Sequence, residues 1–413
     1  MVESLVSQAK LIPIFDQAQY LPFRPEFPDH LSQFKQYEQD YLGAHAFLYA
    51  YKDNAATFRA YRREVERLLH WSWQIHQGSI YELKRADIEA YVKFCQSPPL
   101  SWIGLYKPSR FTNSQGIRLA HPDWRPFVSA VSKVESRKGL MPTRQGYTFS
   151  DKAIKDLFAI LSSFFNFLIQ DGYTALNPVA LVRQKSKFIR RQQGQRQVRR
   201  LSDLQWSFVI ETAELMADHN PQHERTLFIL SALYLMYLRI SELVVSDRWS
   251  PAMNDFKRDH NGLWWFTTVG KGNKQRDIAV SQTMLLALKR WRIHLGFSPL
   301  PTSDDQSPLV PMYKGKGGIS STNQIRNVVQ ACFDQAIARM IEHGLQEEVG
   351  DLQAATVHWL RHTGISDDVK RRPREHVRDD AGHSSSQTTD RYIDVDLRER
   401  NQSAQNKQLT HDS

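Results

Sequence analysis

Apolar residues between Asp53 and Leu69 recur at steps of three and four, with Phe58, Tyr61, Val65, Leu68 and Leu69 on one face, which predicts an amphipathic helix. A second helix opens at Arg85-Ala86-Asp87, carries Ile88, Tyr91, Val92 and Cys95 inward, and stops at Pro98-Pro99, where proline removes a backbone donor. The pattern then breaks. Residues 98–146 are rich in Pro, Gly, Ser and Trp and predict a long insertion between helices. Helical spacing returns at Ser150, a good N-cap, and Ile154, Leu157, Phe158, Leu161, Phe164, Phe165 and Leu168 form a core stripe that Asn177-Pro178 closes. Residues 1–43 contain Pro13, Pro22, Pro25 and Pro28 and little periodicity, so an irregular extension is expected ahead of a helical domain over 44–183.

Residues 184–200 carry Lys185, Lys187, Arg190, Arg191, Arg196, Arg199 and Arg200 and no acid. Such a run cannot bury a core and reads as a basic linker, suited to lie along DNA phosphates. Beyond it, helices are predicted over 202–216, 222–237, 282–295, 321–343 and 353–366. Two strands, 263–269 and 275–280, flank Gly270-Lys271-Gly272-Asn273-Lys274, whose glycines and Asn permit the positive φ angles of a tight hairpin. The expected architecture is mainly α with a small antiparallel sheet: an all-helical N-terminal domain, a mixed α/β (α+β) domain over 201–398, and a polar tail over 399–413.

Composition narrows the partner. A formal charge of +10 and a pI near 9.4 favour a polyanion such as nucleic acid. Cys95 and Cys332 stand too far apart in sequence for a disulfide framework or a thiolate metal site, which suits a reducing compartment. Residues 1–14 lack the apolar run of a signal peptide, and the apolar stretch near 227–238 is too short to span a bilayer. These features lead to the expectation of a soluble protein of the cytoplasm, associated with the nucleoid and having no membrane partner.

The candidate chemistry lies in the second domain, in the order Arg239…His358-x-x-Arg361…His383…Tyr392. Cleaving a phosphodiester without a metal requires neutralising its non-bridging oxygens and protonating a leaving oxygen. Arg239 and Arg361 suit the first task, because a guanidinium donates two parallel hydrogen bonds and stays charged. His358 shares a helix face with Arg361 and could donate to phosphate or accept the tyrosine proton. His383, after Gly382, reads as a second donor, and His362 as structural support. Tyr392 is the nucleophile candidate, a phenol that needs a base and a cationic pocket. Lys271 at the hairpin tip is the candidate general acid, with Lys274 and Arg276 near enough to compete, and Glu242 is expected to orient the cations.

Leu238-Arg239-Ile-Ser-Glu242-Leu, His358-Trp-Leu-Arg361-His362-Thr363 and Gly382-His383…Tyr392 together resemble the tyrosine recombinases, or phage integrase family. The resemblance covers about 201–398 in motifs, and 44–183 more loosely resembles the family's helical core-binding domain. It implies a C-shaped clamp on duplex DNA, a covalent 3′-phosphotyrosine, no metal or other cofactor, and a homotetramer on paired DNA sites. The implied function is site-specific recombination that integrates, excises or transposes a mobile element. A type IB topoisomerase-like enzyme and an inactive DNA-binding relative remain alternatives. Tyr237 stands where the family usually has glycine, so the backbone near Arg239 is expected to differ. Residues 366–380 are far more charged than the family's apolar helix, are interrupted by Pro373, and are expected to stay mobile until DNA or a partner binds. Ile393, Val395 and Leu397 alternate with charges, and the resemblance suggests that they dock on an adjacent protomer.

Overall fold

The computed structural model describes residues 11–184, 199–270, 272–383, 385–390 and 392. The chain divides into two units, Met1–Gln193 and Gly194–Ser413. The division falls within the basic segment; Lys185, Lys187, Arg190, Arg191 and Arg196 lie outside the described residues, as does the tail from Ile393.

The first unit is built on helices α1 (Glu38–Ala50), α2 (Ala55–Trp71), α3 (Arg85–Gln96), the short α4 (Lys133–Arg137), α5 (Asp151–Gln170) and α6 (Pro178–Gln184). Ser150 caps α5 by accepting from the Ala153 N–H, as a serine N-cap should. By length and composition α5 could cross a membrane, but its apolar face, including Ile154, Leu157, Phe158, Leu161 and Phe164, is the core of this unit.

The insertion departs from the all-helical expectation. Within it β1 (Ile103–Gly104) pairs in parallel with β4 (Phe127–Val128), and β2 (Phe111–Ser114) forms a hairpin with β3 (Ile117–Ala120). Trp102 and Phe127 anchor it in the core. The irregular start of the chain is also pinned rather than loose. Ile14 and Phe15 are buried, Asp16 takes a two-pronged bond from Arg118 at 2.8 Å, and the buried Glu66 accepts from the Ile14 and Phe15 N–H groups and from Arg110.

The second unit surrounds α8 (Glu224–Leu235), whose residues from Arg225 to Leu233 are all buried. Packed with it are α7 (Asp203–His219), α9 (Gln282–His294), α10 (Thr322–Glu342), the short α11 (Gly350–Ala354) and α12 (Val357–Asp368). α13 (Arg374–Ala381) and the short α14 (Ser386–Asp390) complete it. The sheet is antiparallel, in the order β5 (Phe256–Arg258), β6 (Trp264–Val269), β7 (Gln275–Ala279). β5 was not anticipated, being only three residues long. The mainly helical first unit and the mixed α/β second unit match the expected fold class. Cys95 and Cys332 are both free and buried.

One expectation is overturned. Residues 366–380 are folded, because their charges pair with one another and with tyrosines instead of with water. Tyr234 donates to Asp367 at 2.7 Å, Tyr237 donates to Asp368, and Arg372 bridges the Tyr237 hydroxyl at 2.9 Å to Asp380 at 2.6 Å. Pro373 does interrupt the helix, as expected: α12 ends at Asp368 and Pro373 stands immediately before α13, where its fixed φ is harmless. Before Arg239, Tyr237 itself takes the left-handed conformation that suits glycine, φ 50°. Non-glycine residues rarely adopt it. Here the ring is fixed by full burial against Ile365, Val377, Ala381 and Tyr392. At Gly364 a Cβ would lie 2.1 Å from the Tyr234 carbonyl oxygen, so only glycine lets α12 approach α8 this closely.

Candidate active site

Local structure explains each placement. α8 ends at Leu235, and the left-handed Tyr237 redirects the chain so that Arg239 starts a single 3-10 turn, Ile240–Glu242. Glu242 closes that turn on the Arg239 N–H at 2.8 Å and also takes the Arg239 guanidinium at 2.9 Å. On the other side it receives Arg276 in a paired fork, both bonds 2.8 Å. Glu242 is 1% exposed; burial alone would raise its pKa, but Arg276 and Arg239 hold it below the ordinary glutamate value.

Arg276 was weighed in the sequence only as a rival general acid. It is instead a fixed cation of the site, with its Nε–H also bonded to the Asp380 carbonyl at 2.9 Å. Its alternation with the buried Ile278 on β7 was the available signal that it faces inward.

Arg361 is 2% exposed and projects from α12 to the carbonyl oxygens of Tyr237 and Ala381, with His383 Nε2 at 3.3 Å. Burial, with the nearby Arg239 charge, pushes its pKa down to about 9, Glu242 opposing. Arg239, Arg276 and Arg361 thus share one carboxylate, an arrangement short of negative charge and suited to an anion.

Gly382 ends α13 in the left-handed conformation, φ 63°, and swings His383 back to the site. Its Nδ1 lies 2.9 Å from Thr389 Oγ1, while Nε2 faces Arg361. This places the acceptor nitrogen toward the arginine and the N–H toward Thr389. Burial, Arg361, Arg239 and Arg276 lower its pKa to about 4, so the ring is neutral at pH 7.

Tyr392 is 6% exposed and stacks on His383, ring centroids 5.7 Å apart. Its hydroxyl lies 2.6 Å from His362 Nδ1. His362 in turn touches the exposed ring of His358, centroids 4.3 Å apart. The sequence reading gave His362 a structural part; its four-residue spacing from His358, which puts both on one helix face, was the signal passed over. Burial first, then His358, Arg361 and His383, push the His362 pKa down to about 3.

Arg239, Glu242, His358, Arg361, His383 and Tyr392 therefore converge. Lys271 lies outside the described residues, but its neighbour Gly270 does not. A Cβ on Gly270 would meet Arg276 Nη1 at 2.9 Å, Glu242 Oε1 at 3.1 Å and Arg239 Nη1 at 3.3 Å, so the hairpin leaves the sheet directly beside the arginines. Lys274 is exposed on that hairpin. Of the linker cations, Arg199 is exposed and Arg200 lies 3.8 Å from Asp367.

A model of the phage integrase family matches residues 207–399. The tyrosine recombinase XerC of Xylella fastidiosa (strain M23) is 25% identical over 318 residues, 75% of this chain and 83% of the relative. XerC of Alcanivorax borkumensis is 27% identical over 220 residues, 51% and 65% of the two chains. A crystal structure of the XerH site-specific recombinase in a post-cleavage complex with palindromic difH substrate is similar in fold, with TM-score 0.54 at 14% identity over 92% of this chain and 86% of that one. The family model covers every element that converges on Tyr392, so the second unit matches the phage integrase family, the tyrosine recombinases.

Proposed function

We propose that this tyrosine recombinase cuts and rejoins duplex DNA at specific sites through a covalent 3′-phosphotyrosine at Tyr392, and so integrates, excises or transposes a mobile element. The observation that carries the reading is the phenol of Tyr392, seated between His362 and His383 beside a cluster of three arginines that shares a single glutamate. A phosphodiester entering there brings the negative charge the cluster lacks. Arg239, whose side chain is 26% exposed, meets the phosphate first, and Arg361 lies behind it. Arg361, braced by His383, holds the second side of the phosphate, and exposed His358 donates to it. Glu242 keeps Arg239 and Arg276 aimed. Lys271 is the general acid for the 5′-oxygen, reaching the bond from a hairpin that starts at the arginines. No nucleotide is consumed, because the phosphotyrosine conserves the energy of the broken bond.

Strand exchange between two sites calls for a homotetramer, with the basic linker of each protomer along the phosphates. A cytoplasmic, nucleoid-associated location follows from that substrate. The test is a nicked suicide duplex resolved on a denaturing gel. The wild type should yield a protein–DNA adduct and Tyr392→Phe none, with DNA binding retained. An adduct from Tyr392→Phe would refute the assignment. A two-site plasmid assay then separates recombination from relaxation.

A further inference from the structure

Tyr392 must lose its proton as its oxygen attacks phosphorus, and the contact at that oxygen shows where the proton can go. His362 Nδ1 stands 2.6 Å from the hydroxyl, within the range required of a general base. The phenol O–H donates and, in the neutral Nε2–H form of the ring, Nδ1 accepts. His362 is half-buried on α12 with His358, Arg361 and His383 around it, and burial together with those neighbours keeps it neutral at pH 7. A neutral imidazole has the vacant lone pair that the phenol needs. His383, by contrast, turns its free lone pair to Arg361 and its N–H to Thr389, so it is already engaged on both sides.

We infer that His362 is the catalytic base that takes the Tyr392 proton, leaving His358 free to donate to the phosphate. This rests on the reading of Tyr392 as the nucleophile. In cleavage the Tyr392 Oη–P bond forms and the P–O5′ bond breaks. The phenol proton passes to His362 Nδ1, and the 5′-oxygen takes a proton from Lys271. Religation reverses both transfers, so no proton is gained or lost overall.

A strongly acidic imidazolium is a poor base in the empty site, and the same geometry supplies the remedy. Burial is the first cause of the depression, and of the charges behind it the Arg361 guanidinium is one that a phosphodiester neutralises, so docking DNA relieves part of the depression as the substrate arrives. The base is therefore weaker without DNA than with it.

The experiment is single-turnover adduct formation on the suicide duplex with saturating full-length protein, from pH 6 to pH 10. His362→Asn offers an amide oxygen near the Nδ1 position, so it can accept the hydrogen bond but not the proton. It should bind DNA and melt like the wild type yet cleave roughly 10²- to 10⁴-fold more slowly at pH 7. The deficit should shrink as pH nears about 10, where the phenol ionises unaided. Added imidazole should restore part of the activity of His362→Ala.

A His362→Asn rate within threefold of wild type at pH 7 would overturn the inference. So would a loss that does not change with pH, or a pH-dependent loss found in His358→Asn instead. If the asparagine variant fails to bind DNA, imidazole rescue of the alanine variant decides: rescue supports the base and its absence overturns it. An adduct from Tyr392→Phe would instead refute the nucleophile, whatever the His362 variants do.

Discussion

Tyr237 sets two known costs against each other, and Tyr237→Gly shows which is larger. The residue holds φ 50°, a conformation that costs a non-glycine residue about 1–2 kcal/mol. Glycine would remove that strain. It would also delete a ring that is 1% exposed and packed on Ile365, Val377, Ala381 and Tyr392, and large-to-small changes of buried aromatics cost about 3–5 kcal/mol. The lost hydroxyl costs Asp368 and Arg372 one bond each, but they still pair with each other and Arg372 with Asp380, and both are partly exposed, so water can replace it. Glycine further loosens the unfolded chain, by about 0.5–1 kcal/mol. The cavity wins, and Tyr237→Gly should destabilise the second unit by about 3 kcal/mol. At roughly 2–4 °C per kcal/mol for a unit of this size, Tm falls by about 6–12 °C. Tyr237→Ala loses the same ring and keeps the strain, so it should be less stable than glycine by about 1 kcal/mol. Thermal and urea unfolding of the three proteins, followed through the transition of the second unit, measures the order. Below its melting point the glycine variant should still form the DNA adduct, because Arg361 bonds the carbonyl of residue 237 and not its side chain. Glycine as stable as tyrosine would mean the ring contributes nothing beyond its strain, and alanine outlasting glycine would mean the left-handed strain is absent.

The half-buried histidines of the site make stability depend on pH. His362 and His383 have pKa values depressed to about 3 and about 4, below the value of about 6.5 in the unfolded chain, so below pH 6.5 the unfolded state binds more protons. Their contribution is complete above that pH and is lost as pH falls toward 4, amounting to about 3 kcal/mol for the pair between pH 7 and pH 5. Urea unfolding at both pH values checks this, and replacing both residues with glutamine should flatten the difference; an unchanged slope would show that the two rings already carry protons in the folded state. Lys271→Ala should slow cleavage by roughly 10²-fold or more, and a duplex whose 5′ leaving oxygen is replaced by sulfur should restore it, since a thiolate leaves without a proton. Sulfur rescue of a Lys274 variant instead would move the general acid to that residue.

The repeating spacing of Phe58, Val65 and Leu68 or of Leu157, Leu161 and Phe164 specified helices before any packing was known, because helix period and burial of one face are properties of the local chain. The hairpin around Gly272 and Asn273 was equally legible, since positive φ restricts residue choice at those positions. The ordered set Arg239, His358, Arg361, His383, Tyr392 was readable as chemistry from residue type alone. What each group does to its neighbours was not. Residues 366–380 looked too charged to fold, yet Asp367, Asp368, Arg372 and Asp380 find partners on α8 and beyond it, more than a hundred residues away in sequence for the two tyrosines. Tyr237 stands where glycine was expected, and only the tertiary structure shows that burial of its ring accompanies a left-handed backbone there. Arg276 became a site cation and His362 the neighbour of the nucleophile through contacts spanning 34 and 30 residues. Periodicity records what a residue does to its own helix or strand, whereas protonation and pairing depend on whichever distant groups the fold brings within a few ångströms. The elements were therefore determined by the sequence pattern, and the partners of the charges by the tertiary structure.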